Sequence, residues 1–208
     1  MEARVGAEFR MEGETDLMPV AHGDDVAVDA CEDVDLRRGF LDEGRPDEAH
    51  GEVAEALERF APVPLQEGYD NAGLQVGLTA AEASGVLLCL DVTPEVIREA
   101  VAMECNMVVS HHPLLFRGLK RIADDTLVER CVREAILGGV ALYAAHTNLD
   151  NALGGVNHRI AEMLGLGDVE FLEPAADGQS GSGIIGTLPK AEGALDFLAR
   201  LKKIFNVE

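Results

Sequence analysis

Basic and aromatic side chains are scarce in this sequence. Its 208 residues contain 17 Lys and Arg against 38 Asp and Glu, which gives a formal net charge of −21 at pH 7. Binding to nucleic-acid phosphates depends on Lys and Arg, so this charge argues against a nucleic-acid partner. Trp is absent and aromatic residues make up only 4% of the chain, whereas 47% is hydrophobic. We therefore expect a core built from aliphatic side chains.

Long apolar runs and paired cysteines are also missing. No run approaches the roughly 18 residues that cross a bilayer, and the N-terminus has no apolar core of a signal peptide. The four cysteines form no Cys-x-x-Cys pair, and three of them fall inside apolar stretches. These features predict buried, reduced thiols in a cytoplasmic protein without a membrane partner.

Three common enzyme motifs have no match in the chain. Residues 70–77 form a polar turn before a short strand, but they lack the G-x-G-x-x-G spacing of a dinucleotide site. There is no Walker loop, and Ser110 beside His111 is not part of a G-x-S-x-G elbow, which argues against a serine hydrolase. Residues 70–77 are therefore interpreted as a turn, with a role in lining a site as the alternative.

The composition divides the chain into three parts. Residues 1–49 carry 15 Asp and Glu against 5 Arg and no Lys, without apolar periodicity, which predicts a disordered acidic extension. A wrongly chosen start codon is the alternative explanation. Residues 50–170 are predicted to form an α/β lobe that binds metal. Residues 171–208 are predicted to begin an insert or a second lobe that is incomplete in this chain.

Alternating apolar patterns predict an α/β fold. Buried strands are expected at 85–90, 107–109 and 140–145, and helices between and after them at 93–101, 125–137 and 156–164. Strands joined in this way run parallel with right-handed crossovers, in a sheet that is covered by helices on both faces. Polar residues that follow each strand then meet at one edge of the sheet.

Two adjacent histidines, His111 and His112, stand at the exit of the second strand, directly before Pro113. Imidazole is the commonest protein ligand for transition metals. Neighbouring residues of a strand point to opposite faces, so both rings reach one centre only where the strand ends, and Pro113 favours such an end. Metal binding and simple hydrogen bonding to backbone carbonyls both remain open on these residues alone.

The next strand leads into a second polar group, residues 146–150. Asp150 is interpreted either as a carboxylate that bridges two metal ions or as the N-cap of the following turn. His146 is either a ligand or a neighbour that supports one. Asp91 follows the first strand at the same edge of the sheet, and we favour its assignment to the start of a helix over a role in the site. His22, His50 and His158 have no convincing partners, and His158 is predicted to lie on the surface of a helix.

The motifs resemble a known family when they are taken together. The stretches 69–77, 88–93, 110–120, 145–150 and 154–157 occur in the order found in the Nif-three-like family, often named GTP cyclohydrolase 1 type 2 homologues. The resemblance covers residues from about 50 to 208. It implies a two-lobed α/β fold, a dinuclear metal centre and toroidal homohexamers whose sites face an internal cavity.

The resemblance also implies a set of metal ligands. The family's adjacent histidines match His111 and His112, and its carboxylate after Asn-Leu matches Asp150. The family's other ligands are a histidine and a glutamate four residues later in the C-terminal lobe. His158 and Glu162 have this spacing but lie in the first lobe, so they are rejected as that pair. The chain is therefore expected to keep three ligands of a truncated centre.

The function that the resemblance implies is a metal-dependent hydrolase with a small-molecule substrate. Divalent ions would activate water for attack on a phosphate ester or a purine ring carbon. Zn, Fe, Mn, Co and Ni are not distinguished by these ligands. A non-catalytic metal-binding or regulatory protein, and an inactive truncated fragment, are the alternatives.

Overall fold

The structure is a computed structural model that describes residues 4–7, 49–176 and 178–207. Within these ranges the strands are β1 (Arg4–Ala7), β2 (Gly73–Val76), β3 (Val86–Cys89), β4 (Met107–Ser110), β5 (Ala141–Ala144), β6 (Gly167–Pro174) and β7 (Gly181–Thr187). The helices are α1 (His50–Phe60), α2 (Pro94–Ala102), α3 (Leu127–Gly138), α4 (Thr147–Asn151), α5 (Val156–Met163) and α6 (Ala194–Ile204), with a 3₁₀ turn at Val63–Leu65.

A four-stranded sheet carries the candidate site. Its strand order is β2-β5-β4-β3, in which β3, β4 and β5 are parallel and β2 is antiparallel to β5. The last residues of the parallel strands, Cys89, Ser110 and Ala144, are aligned in register. The predicted parallel-rich sheet is therefore confirmed, and the residues that follow these three strands share one edge.

The helices on one face of this sheet begin at polar caps. Thr93 and Thr126 each accept a hydrogen bond from the backbone at the third helical residue of α2 and α3. Gly139 ends α3 with a φ of 67°, a left-handed conformation that favours glycine. The two helices pack on the sheet through an aliphatic core that includes Ile97, Ala100, Cys131, Ala135, Val108 and Leu142.

The opposite face of the sheet is covered by α1. Val53 and Ala54 of this helix are buried against Met107, Val109 and Tyr143 of the central strands. Every side chain of β4 and β5 is buried, which explains why these strands read as uninterrupted apolar runs. Burial raises the pKa of the Cys131 thiol to about 11 and that of Cys89 to about 12. Cys89, Cys105 and Cys131 are free thiols.

A second, three-stranded sheet has the order β1-β7-β6. Strand β6 pairs antiparallel with β7, and β1 pairs antiparallel with the other edge of β7. The predicted boundary between residues 170 and 171 falls inside β6. The incomplete second lobe stays a prediction, since the described residues do not test it.

The predicted acidic extension is described only in part. Arg4–Ala7 form strand β1, unlike the disordered segment that we predicted, and Ala49 pairs with Glu82 in a short bridge. The prediction for residues 1–3 and 8–48 lies outside the described residues. In the described part of the chain, no helix is long and apolar enough to cross a membrane.

Candidate metal centre

Three histidines meet at the carboxyl edge of the four-stranded sheet. His111 and His112 directly follow β4, and their backbone amides donate to Cys89 and Leu90 of the neighbouring strand end. His146 directly follows β5. The ring centroids are 5.2 Å apart for His111–His112 and for His111–His146, and 5.7 Å apart for His112–His146.

One ring nitrogen from each of the three histidines lies within 4.8 Å of the others, so the cluster can hold a metal ion. In each ring, Nδ1 lies within hydrogen-bond distance of an oxygen atom. The Nδ1 atom of His111 is 2.8 Å from the carbonyl oxygen of Ala145. Because a carbonyl oxygen only accepts, His111 donates from Nδ1 and keeps a lone pair on Nε2.

Two carboxylates orient the other two rings. His112 Nδ1 donates to Asp91 Oδ1 over 2.8 Å, and His146 Nδ1 donates to Asp70 Oδ1 over 2.8 Å. A ligating histidine that donates its second nitrogen to an oxygen has its tautomer and ring direction fixed. With its proton on Nδ1, each of the three rings has Nε2 as the nitrogen that can bind a divalent ion.

Asp150 adds a carboxylate beside this cluster. It lies in the short helix α4, with Oδ1 3.9 Å from His111 Nε2. Burial raises the pKa of Asp150, although the charges of His111 and His146 act in the opposite direction. The N-cap residues of α4 and α5 are His146 and Gly155, so Asp150 does not cap either helix.

The pKa shifts of His111 and Asp70 favour the protonation states that bind a cation. Burial lowers the pKa of His111, against the opposing effects of the Asp150 charge and the Ala145 carbonyl, which favours the neutral ring. Burial by itself would raise the pKa of Asp70. Hydrogen bonds from Thr147 and His146 outweigh this effect, so the pKa of Asp70 is lowered. Neutral imidazoles next to ionised carboxylates are the forms that bind metal.

The loop after β5 is held in place by a buried amide. Asn148 is 1% exposed. Its Oδ1 accepts from the backbone N–H of His146 over 2.9 Å, and its Nδ2 donates to the Ala61 carbonyl over 2.7 Å. This residue links the end of α1 to the segment that carries His146 and Asp150. The contact explains why an Asn follows His146 at this spacing.

The turn between α4 and α5 fits only glycine at position 155. A Cβ atom built on Gly155 would lie 1.9 Å from the Leu149 carbonyl oxygen. After this turn, Asn157 Nδ2 donates to the Asp150 carbonyl oxygen over 3.1 Å. The segment that carries Asp150 is thus fixed from its C-terminal side as well.

The structure places His111, His112 and Asp150 together, and their assignment as metal ligands stays a prediction. His146, whose role the sequence left open, lies inside the cluster. The assignment of Asp91 to a helix start was wrong, because Thr93 caps α2 and Asp91 accepts from His112. Its place after β3, in line with the histidines, was the signal that could have found it. For Asp70, the sequence left a role in lining a site only as the alternative to a turn, because its partner His146 is 76 residues away in the chain.

The remaining histidines lie elsewhere. His50 is buried in α1, where its Nδ1 is 3.2 Å from the Leu78 carbonyl oxygen. His158 is half-buried, and its ring packs edge-on against Phe171 with centroids 5.0 Å apart. Burial also lowers the pKa of His158, so this residue lies on the predicted helix but is partly covered rather than fully exposed. His22 lies outside the described residues.

Comparison with known proteins agrees with the fold and the motifs. Residues 49–208 match the family described as Duf34/NIF3 (NGG1p interacting factor 3). A GTP cyclohydrolase 1 type 2 homolog from Clostridium perfringens is 37% identical over 158 residues, which are 76% of this chain and 60% of that protein. The match thus spans about three fifths of the length of this relative and of a second one from Clostridium acetobutylicum, and about one third of the relatives from Halalkalibacterium halodurans and Bacillus subtilis.

Solved structures show the same similarity. A Staphylococcus aureus hypothetical protein has a TM-score of 0.72 and 25% identity, over 77% of this chain and 65% of that one. A Bacillus cereus protein related to NIF3 has a TM-score of 0.59 and 39% identity, over 63% of this chain and 36% of that one. The resemblance predicted from the motifs is confirmed. The chain belongs to the Duf34/NIF3 family.

Proposed function

We propose that this chain supplies the divalent-metal centre of a metal-dependent hydrolase. The observation that carries the proposal is the histidine cluster, in which each Nδ1 lies 2.8 Å from an oxygen atom and one nitrogen of each ring converges with the others to within 4.8 Å. Structural histidines that only satisfy backbone groups have no need to converge in this way. The proposal retains His111, His112 and Asp150 as ligands, with Asp150 as the bridging carboxylate.

The residues present fit such a centre. Imidazole and carboxylate together accept Zn, Fe, Mn, Co or Ni. When it is bound, a divalent ion of this kind lowers the pKa of water and supplies a nucleophile near neutral pH. A centre of two ions, as the family resemblance implies, needs further ligands beyond His111, His112 and Asp150.

A small-molecule substrate is part of the proposal. Two exposed aromatic side chains, Tyr69 and Phe116, lie on the loops that carry Asp70 and the histidine pair, with ring centroids 6.3 Å apart. The two loops are joined where Asn71 Nδ2 donates to the Leu115 carbonyl over 2.6 Å. This rim offers an apolar surface beside the centre. The name of the relatives makes GTP the first compound to assay, followed by phosphate esters.

Turnover by the 208-residue chain tests the proposal. The chain is loaded separately with each of the five metals and incubated with GTP and a panel of phosphate esters, and products are measured by chromatography. We expect turnover in the chain and in His158→Ala, a histidine variant outside the cluster, and a loss of at least about 100-fold in His112→Ala. A metal-loaded chain without turnover on any compound would overturn the hydrolase proposal in favour of a non-catalytic metal-binding protein.

We also propose a homo-oligomer in the cytoplasm. Ile136 and Leu137 of α3 are 56% and 79% exposed, and Val101 of α2 is 48% exposed beside them, which supports an apolar contact between copies. The free thiols of the described cysteines support a reducing compartment. Light scattering after gel filtration checks the oligomer, and Leu137→Glu is expected to reduce the measured mass. A wild-type monomer would contradict this proposal.

A further inference from the structure

We propose that Asp70 is a positioning residue of the metal centre, which holds the His146 ring so that Nε2 carries the lone pair facing His111 and His112. The inference rests on the proposed function, because it assigns a residue to the same centre. It adds a carboxylate from a loop before β2 to a centre otherwise built from the ends of the parallel strands.

The contacts of Asp70 leave it one orientation. Oδ1 accepts from His146 Nδ1 over 2.8 Å and from the Asn71 backbone N–H over 2.7 Å. Oδ2 accepts from the Thr147 backbone N–H over 3.1 Å and from the Thr147 hydroxyl. The carboxylate is fully inaccessible to solvent. Four donors around a buried carboxylate form a built site, whose rotation would break several hydrogen bonds at once.

Asp70 is also the partner on which the tautomer of His146 depends. Asn148 Oδ1 holds the backbone N–H of His146, whereas Asp70 Oδ1 is the hydrogen-bond partner of the ring, at Nδ1. The hydrogen bond at one ring nitrogen decides which nitrogen carries the proton. An acceptor at Nδ1 keeps the proton there and leaves Nε2 able to bind a cation.

The three histidines differ in what orients them, and this difference supplies the control. His111 is held by a backbone carbonyl, which substitution does not remove. His112 is held by Asp91, but these side chains are 47% and 63% exposed, so water can replace the carboxylate. His146 and Asp70 are 19% and 0% exposed. Asp91→Asn is therefore the matched control for Asp70→Asn.

Asp70→Asn keeps the shape of the side chain but changes its chemistry. An amide has one accepting oxygen and one donating nitrogen. If the oxygen stays with the two Thr147 donors, the NH₂ group faces His146 Nδ1. The favoured tautomer of His146 then carries its proton on Nε2 and does not bind a cation. Loss of such an outer partner lowers metal affinity by about 10- to 100-fold.

Two measurements on the 208-residue chain test the inference. Long-range ¹H–¹⁵N NMR of the metal-free protein reports the tautomer of His146, with the signal assigned by His146→Gln. Titration with Zn²⁺ or Co²⁺ gives the affinity of the chain, Asp70→Asn and Asp91→Asn. We expect a proton on Nδ1 of His146 in the wild type and on Nε2 in Asp70→Asn. We expect a 10- to 100-fold weaker affinity in Asp70→Asn, but less than about fivefold in Asp91→Asn.

The outcomes separate this inference from the proposed function. A wild-type His146 with its proton on Nε2 overturns the inference without the need for any variant to fold. Equal affinity in Asp70→Asn and wild type also overturns it and leaves the proposed function standing. A wild type that binds no metal but has the expected tautomer contradicts the proposed metal centre and, with it, the role of Asp70 there.

Discussion

Replacing Asn148 with Ala tests how the loop that carries His146 is held. The change removes the acceptor for the His146 N–H and the donor for the Ala61 carbonyl, both at a position that is 1% exposed. Each buried polar group left without a partner costs about 1–3 kcal/mol. Asn148→Ala leaves two such groups, and water that enters the space can hydrogen-bond to them in part. We therefore expect a loss of about 2–4 kcal/mol in the free energy of unfolding.

Equilibrium urea unfolding followed by circular dichroism measures this loss. With a slope of about 2 kcal/mol per M, the middle of the range for small proteins, the midpoint falls by about 1–2 M. The control is Asn71→Ala, which removes an exposed amide that donates to Leu115 over 2.6 Å, and whose expected effect is about 1 kcal/mol or less. A loss below about 1 kcal/mol in Asn148→Ala, or equal to that of Asn71→Ala, would refute the buried-amide account.

Two further predictions concern the segment that carries Asp150. Gly155→Ala places a Cβ atom 1.9 Å from the Leu149 carbonyl oxygen, so we expect a loss of about 3 kcal/mol or more in thermal unfolding, whereas an unchanged Tm would contradict the contact. Burial raises the pKa of Asp150, so its ionised form opposes folding at neutral pH. Asp150→Asn is therefore expected to raise the Tm of the metal-free chain at pH 7 while weakening metal affinity. The gain in Tm shrinks as the pH falls and Asp150 becomes protonated. A gain that grows toward acid pH would contradict a raised pKa of Asp150.

Local signals in the sequence predict most of the central fold. Apolar runs mark β3, β4 and β5, and Thr93 with Pro94 marks the start of α2 because a hydroxyl cap and a proline suit the first turn. Strand β6 escaped prediction because its side chains are mostly exposed and carry no apolar run. Helix α4 is only five residues long, which is too short for helical periodicity to show.

The candidate site is predictable only as far as it depends on strand ends. His111, His112 and Asp150 follow from this rule together with the family motifs. Asp91 obeys the same rule, although we predicted that it begins a helix. Asp70 follows from no local rule. It reaches His146 through pairing of β2 beside β5, an antiparallel contact between segments about 70 residues apart in the chain. Long-range pairing of this kind has no signature in a single sequence.

Metal binding by the histidine cluster is the central claim, and titration calorimetry tests it most directly. The 208-residue chain is freed of metal with a chelator and titrated with Zn²⁺ beside His111→Ala, His112→Ala and the outside control His158→Ala. We predict saturable binding of at least one ion per chain, retained in His158→Ala and weakened at least about 100-fold in the two cluster variants. No saturable binding by the wild type, or equal binding by all four proteins, would contradict the account.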